Sequence, residues 1–393
     1  MRSGKAALFI AGIVLAGLML PLPAHASIKI EILYVERQTP RPATLSNLNA
    51  PPEDLGAAGA RIAIEDNATT GKFLGHDYSL REVIVAPETE FMPEVKKALA
   101  ERPAQYVVVN APADDLLAVA DLPELKDALV FNAGAADTRL RNEDCRANLL
   151  HTASSRAMLA DALMQFLVKK RWSKLFLVTG PNPADRLYGQ AIRDSAAKFR
   201  LKIVADKPWP FAADIRRTAQ SEIPVFTQDV DYDILIVADE TGDFGEYLLY
   251  QTWLPRPVAG THGLTPAAWS PVIEQWGAAQ LQSRFKKRTK RSMLPDDFNV
   301  WAAVRVVGEA VTKVNSADFA AVAAYIRSPE ARFAQYKKYG LNFRSWNGQL
   351  RQPVPLVHAG ALVALPPLEG FLHSGSELDT LGIDEPETKC KLR

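Results

Sequence analysis

Cysteine and histidine are scarce, catalytic signatures are missing, and neither sign of charge dominates. Cys145 and Cys390 are the only cysteines in 393 residues, and there are just six histidines. No two histidines stand at metal-ligand spacing, which argues against a zinc site. The chain has no G-x-G-x-x-G, Walker loop, H-E-x-x-H, C-x-x-C or G-x-S-x-G. Dinucleotide binding, phosphate-loop chemistry and the common hydrolase designs therefore have no anchor. A hydrolase would have to gather Ser, His and Asp from distant segments, and no serine is singled out for that role. The chain reads as a non-enzyme.

Long apolar runs are also lacking, with one exception. Met1, Arg2 and Lys5 precede an apolar stretch that ends at Leu22, and Pro23-Ala24-His25-Ala26 follows. A cationic start, an apolar core and small residues at Ala24 and Ala26 make residues 1–26 a secretory signal cut after Ala26. Its core of roughly 15 residues is short of the ~20 that cross a bilayer. The remaining residues hold 44 Lys+Arg against 45 Asp+Glu, a formal charge of −1. That balance excludes nucleic acid as a partner, because phosphate contacts need a cationic surface. The length suggests two domains. In an oxidising export compartment Cys145 and Cys390 can pair, closing a long loop with a chain-entropy gain of roughly 5 kcal/mol. Two independent thiols are the alternative, but exposed thiols are a liability outside the cell.

What is present alternates between strand and helix, twice over. Strands are expected at 28–35, 78–85, 105–110 and 128–131, with helices at 54–68 and 91–101. The pattern restarts with a helix capped by Ser154-Ser155 and bearing Met158, Leu159, Ala162, Leu163, Phe166 and Leu167 three and four apart. Strands at 174–179, 201–205 and 233–238 and a helix at 185–199 complete the second half. Unalternated Val and Leu runs between helices indicate parallel sheets covered on both faces. Beyond Gly260 the texture becomes helical, at 267–291, 297–314, 317–326 and 330–338. A proline-rich return carries one strand-like run at 356–365, and the last residues are polar and mostly irregular.

Ligands of open α/β sheets sit beyond the carboxyl ends of the strands. Four loops qualify: the one after Val35 with Arg37, Gln38 and Thr39; Asn110-Ala111-Pro112-Ala113-Asp114-Asp115; Asn132 to Thr138; and Ala238 to Asp243. Asp and Asn after a strand are equally at home as helix caps or turn formers. The basic run Arg284 to Arg291 reads as a solvated helix face, with docking to a partner or anionic lipid as the alternative. Trp253, Trp269, Trp276 and Trp301 read as packing residues.

Glu53 to Asn67, followed by Gly71-Lys72-Phe73-Leu74-Gly75, resembles the first helix of the solute-binding proteins of branched-chain amino acid ABC transporters. Thr152-Ala153-Ser154-Ser155, Arg171-Trp172-Ser173-Lys174, Leu187-Tyr188-Gly189 and Trp346-Asn347-Gly348-Gln349 resemble later turns of that family, in order, across about 28–370. The resemblance implies a type I periplasmic binding protein: two Rossmann-like lobes with parallel central sheets, joined by a three-crossing hinge. Lobe one would hold 27–149 and 264–325, lobe two 150–263 and 326–370, with 371–393 a polar tail. It also implies a monomer in the periplasm that closes on a small ligand and serves a membrane permease.

Within that resemblance the cleft candidates are Arg37, Asn110, Ala111, Asp114, Asp115, Ala133, Ala135, Asp137, Arg139, Tyr188, Asp239 and Glu240. Where amino-acid binders carry a glycine and a Ser/Thr pair for the ligand carboxylate, this chain has Ala111-Pro112-Ala113-Asp114. A carboxylate beside Asp114 and Asp137 would meet like-charge repulsion, which argues against leucine, isoleucine or valine. Arg37-Gln38-Thr39-Pro40-Arg41-Pro42 and the Cys390 tail resemble a divergent subgroup encoded beside PQQ-dependent alcohol dehydrogenase systems. That likeness implies a lanthanide or calcium ion held by Asp114, Asp115, Asp137, Asp239, Glu240 and Asp243. The opposite expectation is an anionic or quinone cofactor met by Arg37, Arg139 and Tyr34 or Tyr188. A sensor or accessory to a PQQ-dependent dehydrogenase is the non-transporting alternative.

Overall fold

The computed structural model describes residues 28–40, 51–211 and 218–392. The expected export signal and the Arg41-Pro42 pair lie outside the described residues. The first half runs β1 (Ile28–Arg37), α1 (Ala57–Leu74), β2 (His76–Val85), α2 (Phe91–Glu101), β3 (Tyr106–Asn110), α3 (Ala113–Ala120), β4 (Leu129–Asn132) and β5 (Leu149–His151). Its five strands pair in parallel in the order β2-β1-β3-β4-β5. The second half runs α4 (Arg156–Lys170), β6 (Lys174–Thr179), α5 (Pro183–Lys198), β7 (Lys202–Pro208), α6 (Ala219–Thr227), β8 (Ile234–Ala238), α7 (Gly245–Leu248) and β9 (Val258–Gly260). Its four strands repeat the winding, β7-β6-β8-β9, again in parallel. Continuous burial of Tyr106 to Val109 and of Ile234 to Ala238 follows from helices on both faces of each sheet.

The remaining elements are β10 (Thr265–Pro266), α8 (Ala278–Thr289), α9 (Pro295–Val314), α10 (Phe319–Arg327), β11 (Phe333–Ala334), β12 (Gly340–Leu341), β13 (Leu356–His358) and β14 (Ala361–Ala364). Two expected helices differ. The one at 267–291 is helical only over Ala278–Thr289, because Pro271 interrupts it and Gly277 takes a left-handed φ of 87°. The stretch 330–338 is no helix: β11 pairs antiparallel with β12, and Tyr336 and Lys338 have positive φ. Conversely α3, β5, α6 and β9 were too short or too polar to stand out.

Core membership shows where the chain changes lobes. Leu150 packs with the first sheet and Met158 with the second; Leu264 packs with the second and Trp269 with the first; Leu350 packs with the first and Val354 with the second. These are three crossings. Expectation gave residues 326–370 to lobe two, yet Ala331, Phe333, Leu341, Phe343 and Leu350 all pack in the first core. Their aromatic side chains meet there, Phe343 tilted against Phe131 and edge-on to Phe333. Cys145 and Cys390 form a disulfide, with Cα atoms 5.7 Å apart. Among the described residues no helix is long and apolar enough to cross a membrane.

Candidate functional site

In a sheet wound 2-1-3, the loops after strands 1 and 3 part to opposite faces and leave a crevice. In the first sheet those loops follow Arg37 and Asn110; in the second they follow Thr179 and Ala238. The two crevices face each other across a cleft of about 1090 Å³. Arg37, Asn110, Ala111, Asp114, Ala135, Asp137, Arg139, Glu240 and Asp243 all line it, so the structure brings most of the expected residues together.

Others stand elsewhere. Ala133 is fully buried behind the wall. Tyr188 is buried in the second core, and Leu187, one helical step away, faces the cleft instead. Asp115 stays off the cleft surface and holds Arg37 at 3.1 Å. Asp239 is buried and accepts from the amides of Asp243, Phe244 and Gly245 at 3.0, 2.9 and 2.7 Å, so it shapes the loop rather than meeting a ligand.

The cleft acids have partners of their own. Asp114 pairs with Arg139, which also binds Asp144. Arg156, unanticipated, sits at the first position of α4 behind the Ser155 cap, whose hydroxyl accepts from Met158 N at 3.2 Å. Its guanidinium takes Glu240 of lobe two in a fork at 2.9 and 2.6 Å and Asp137 of lobe one at 2.8 Å. Burial works against that charge, but the bonds to Glu240 and Asp137 more than offset it and its pKa is raised. Asp243 accepts from Asn182 and Thr241 at 2.9 and 3.0 Å. The six acids expected to hold a metal are therefore each engaged within the protein, Asp137 and Glu240 through the same Arg156. Among the described residues no three His, Cys, Asp or Glu side chains gather as a cation site.

Two further features define the lobe-one wall. Tyr34 donates to Glu36 at 2.6 Å and receives Asn110 at 3.4 Å. Beside them Asp296, in the first turn of α9, lines the cleft half-buried; burial first and the neighbouring Asp297 second push its carboxyl up to about 6. Two backbone amides of the loop after β4 are already taken. Asn132, fully buried, accepts from Gly134 N at 3.2 Å and Ala135 N at 2.9 Å, and Pro112 has no N–H to offer. His262 at the opposite wall is driven toward the neutral form by burial, against Asp239 and Glu246.

Arg156, Asp296, His262, Leu187 and Tyr247, the last also lining the cleft from lobe two, were not foreseen. Arg156 follows a legible Ser-Ser cap, so its place at a helix start was available. Asp296 reaches the first sheet's crevice from far downstream, and only the crossing topology carries that information.

A periplasmic binding protein family model matches residues 44–221. A search of curated proteins finds no match. Among solved structures, a periplasmic binding protein from Burkholderia mallei is 17% identical, with a TM-score of 0.65 over 93% of this chain and 99% of that one. A branched chain amino acid ABC transporter periplasmic ligand-binding protein from Burkholderia xenovorans is 16% identical, TM-score 0.65, over 84% and 90%. The leucine-, isoleucine-, valine-, threonine- and alanine-binding protein of Brucella ovis, in its closed conformation, is 14% identical, TM-score 0.63, over 84% and 89%. The fold is that of type I periplasmic binding proteins.

Proposed function

We propose that the protein is the exported solute-binding component of an ABC-type transport system, closing its lobes on a small ligand and presenting it to a membrane permease. The observation that carries this reading is the cleft of about 1090 Å³ at the carboxyl ends of both sheets, lined by each lobe. Closure is a shift between open and closed populations and needs no covalent chemistry.

The ligand we favour is an organic solute without a carboxylate. The amides of Gly134 and Ala135 are taken by Asn132, and the cleft arginines Arg37, Arg139 and Arg156 are each already paired with acids. An amino acid or an anionic quinone would have to break those pairs. A lanthanide or calcium ion finds no gathered carboxylates among the described residues. The narrower link to PQQ-dependent alcohol oxidation, as transported solute or as sensor, rests on the Arg37 segment and the Cys390 tail. Thermal-shift measurements with amines, alcohols, amino acids, PQQ and lanthanum ion test the reading. A carboxylate-free member at 100 times its Kd should add about 2.7 kcal/mol of stability. Stabilisation by leucine or PQQ alone would overturn the ligand class.

A further inference from the structure

The C-terminal tail crosses between the lobes repeatedly after the three hinge crossings are complete. Leu368 packs against the second core, Leu378 enters the first and Leu381 the second. Between those leucines Asp379 is gripped by Arg344 at 2.7 Å and by Arg351 at 2.9 Å, while Arg344 also donates to the carbonyls of Leu378 and Leu381, both at 2.8 Å. Lobe two then takes hold. Gly382 N donates to Asp161 at 2.8 Å, and Lys198 binds both Asp161 and the Gly382 carbonyl. Gly382 has φ of 80°, and a Cβ there would meet Met158 at 2.7 Å, so the approach admits only glycine. Finally the chain returns to lobe one. Thr388 donates to Arg141 O at 3.3 Å, Lys389 N to Asn142 at 2.6 Å, and Cys390 closes on Cys145.

We infer that residues 368–390 form a strap across the two lobes, cinched by the disulfide, that limits how far the hinge opens. The inference rests on the lobes moving, as the proposed function requires; the ligand panel judges that function separately, so a failed strap leaves it standing. A rigid-body opening carries Cys145 with one lobe and Asp161 and Lys198 with the other. Nine residues, Gly382 to Cys390, carry the two anchors, with Lys198 of lobe two also 3.4 Å from Glu387, so the lobes part only as far as this short segment extends.

The test uses the ligand-free full-length protein beside two variants: Cys390→Ser, and a chain ending at Asp384. Both keep Leu378 and Leu381 and lose the disulfide; the shorter chain also loses the Thr388 and Lys389 bonds to lobe one and the Glu387 contact with Lys198. Small-angle scattering reads lobe separation, and amide exchange reads the crossings near 150–158, 264–269 and 350–354. The strap predicts a larger radius of gyration and exchange roughly tenfold faster at the crossings, with unchanged far-UV circular dichroism. Gly382→Val, which frees the lobe-two anchor and leaves the disulfide, should act the same way. Scattering and crossing exchange identical to the unmodified protein, with faster exchange confined to the tail or only a lower Tm, would overturn it.

Discussion

Asp296 shows how a single carboxyl records the cost of making a cleft. It lies in the first turn of α9, where the helix dipole favours an acid, yet burial and Asp297 push its carboxyl up to about 6. Its folded value lies above its unfolded one, so the native state holds more protons between the two. The associated stability is fully present below the unfolded value and is lost as pH rises through about 6. Asp296→Asn should therefore stabilise the ligand-free protein at pH 7 by about 1–2 kcal/mol, and the gain should vanish below about pH 4. Urea unfolding at both pH values checks this; an equal gain at both would refute the cause. Neighbouring residues with the same chemistry part company here. Asp239 is turned inward to cap three amides and Glu240 outward to Arg156, a choice set by backbone direction that residue type does not reveal. Tyr188 and Leu187 divide likewise, since adjacent positions on a helix point about 100° apart.

At the scale of elements, α1 and α9 join the early and late parts of lobe one. Gly59 lets them touch: a Cβ there would fall 2.0 Å from the Asp297 carbonyl oxygen. Asn67 locks the other end, donating to Val304 O at 3.1 Å and accepting from Arg305 at 2.5 Å. Gly59→Ala places its methyl against backbone, which cannot rotate away, so it should cost at least the ~1–3 kcal/mol typical of overpacking. Gly75→Ala, with nothing within 4 Å but φ of 72°, should cost only the ~1 kcal/mol of a left-handed residue. Chemical denaturation of the two variants separates close approach from backbone strain. The longer strands of both sheets were legible because buried parallel strands read as unbroken apolar runs, whereas β5 and β9, at three residues each, did not stand out. The helices after Gly260 were harder. Their apolar residues continue through Pro266 to Gly277, and only the proline, the glycine and pairing of β10 with β13 stop the helix there.

Across the whole molecule, the doubly wound repeat was legible in the alternation of strand and helix, and all four loops expected at strand ends contribute to the cleft, while the loop after Thr179 was missed. What the strands could not convey was which lobe receives each returning segment, because β11 and β12, at two residues each, carry little pattern of their own. The long-range pairing of Cys145 with Cys390, 245 apart in sequence, was by contrast expected, because they are the only two cysteines of a chain with an export signature. Together, sheets, crossings and strap make two lobes that meet at one cleft, which under the proposed function closes on a small carboxylate-free solute. Native mass spectrometry of the protein isolated from its own cells tests that claim most directly, followed by scattering of the stripped protein with the released compound added back. The expected result is one equivalent of a small molecule without a carboxylate, whose return contracts the particle. A stoichiometric α-amino acid, or a released compound that leaves the scattering unchanged, would contradict it.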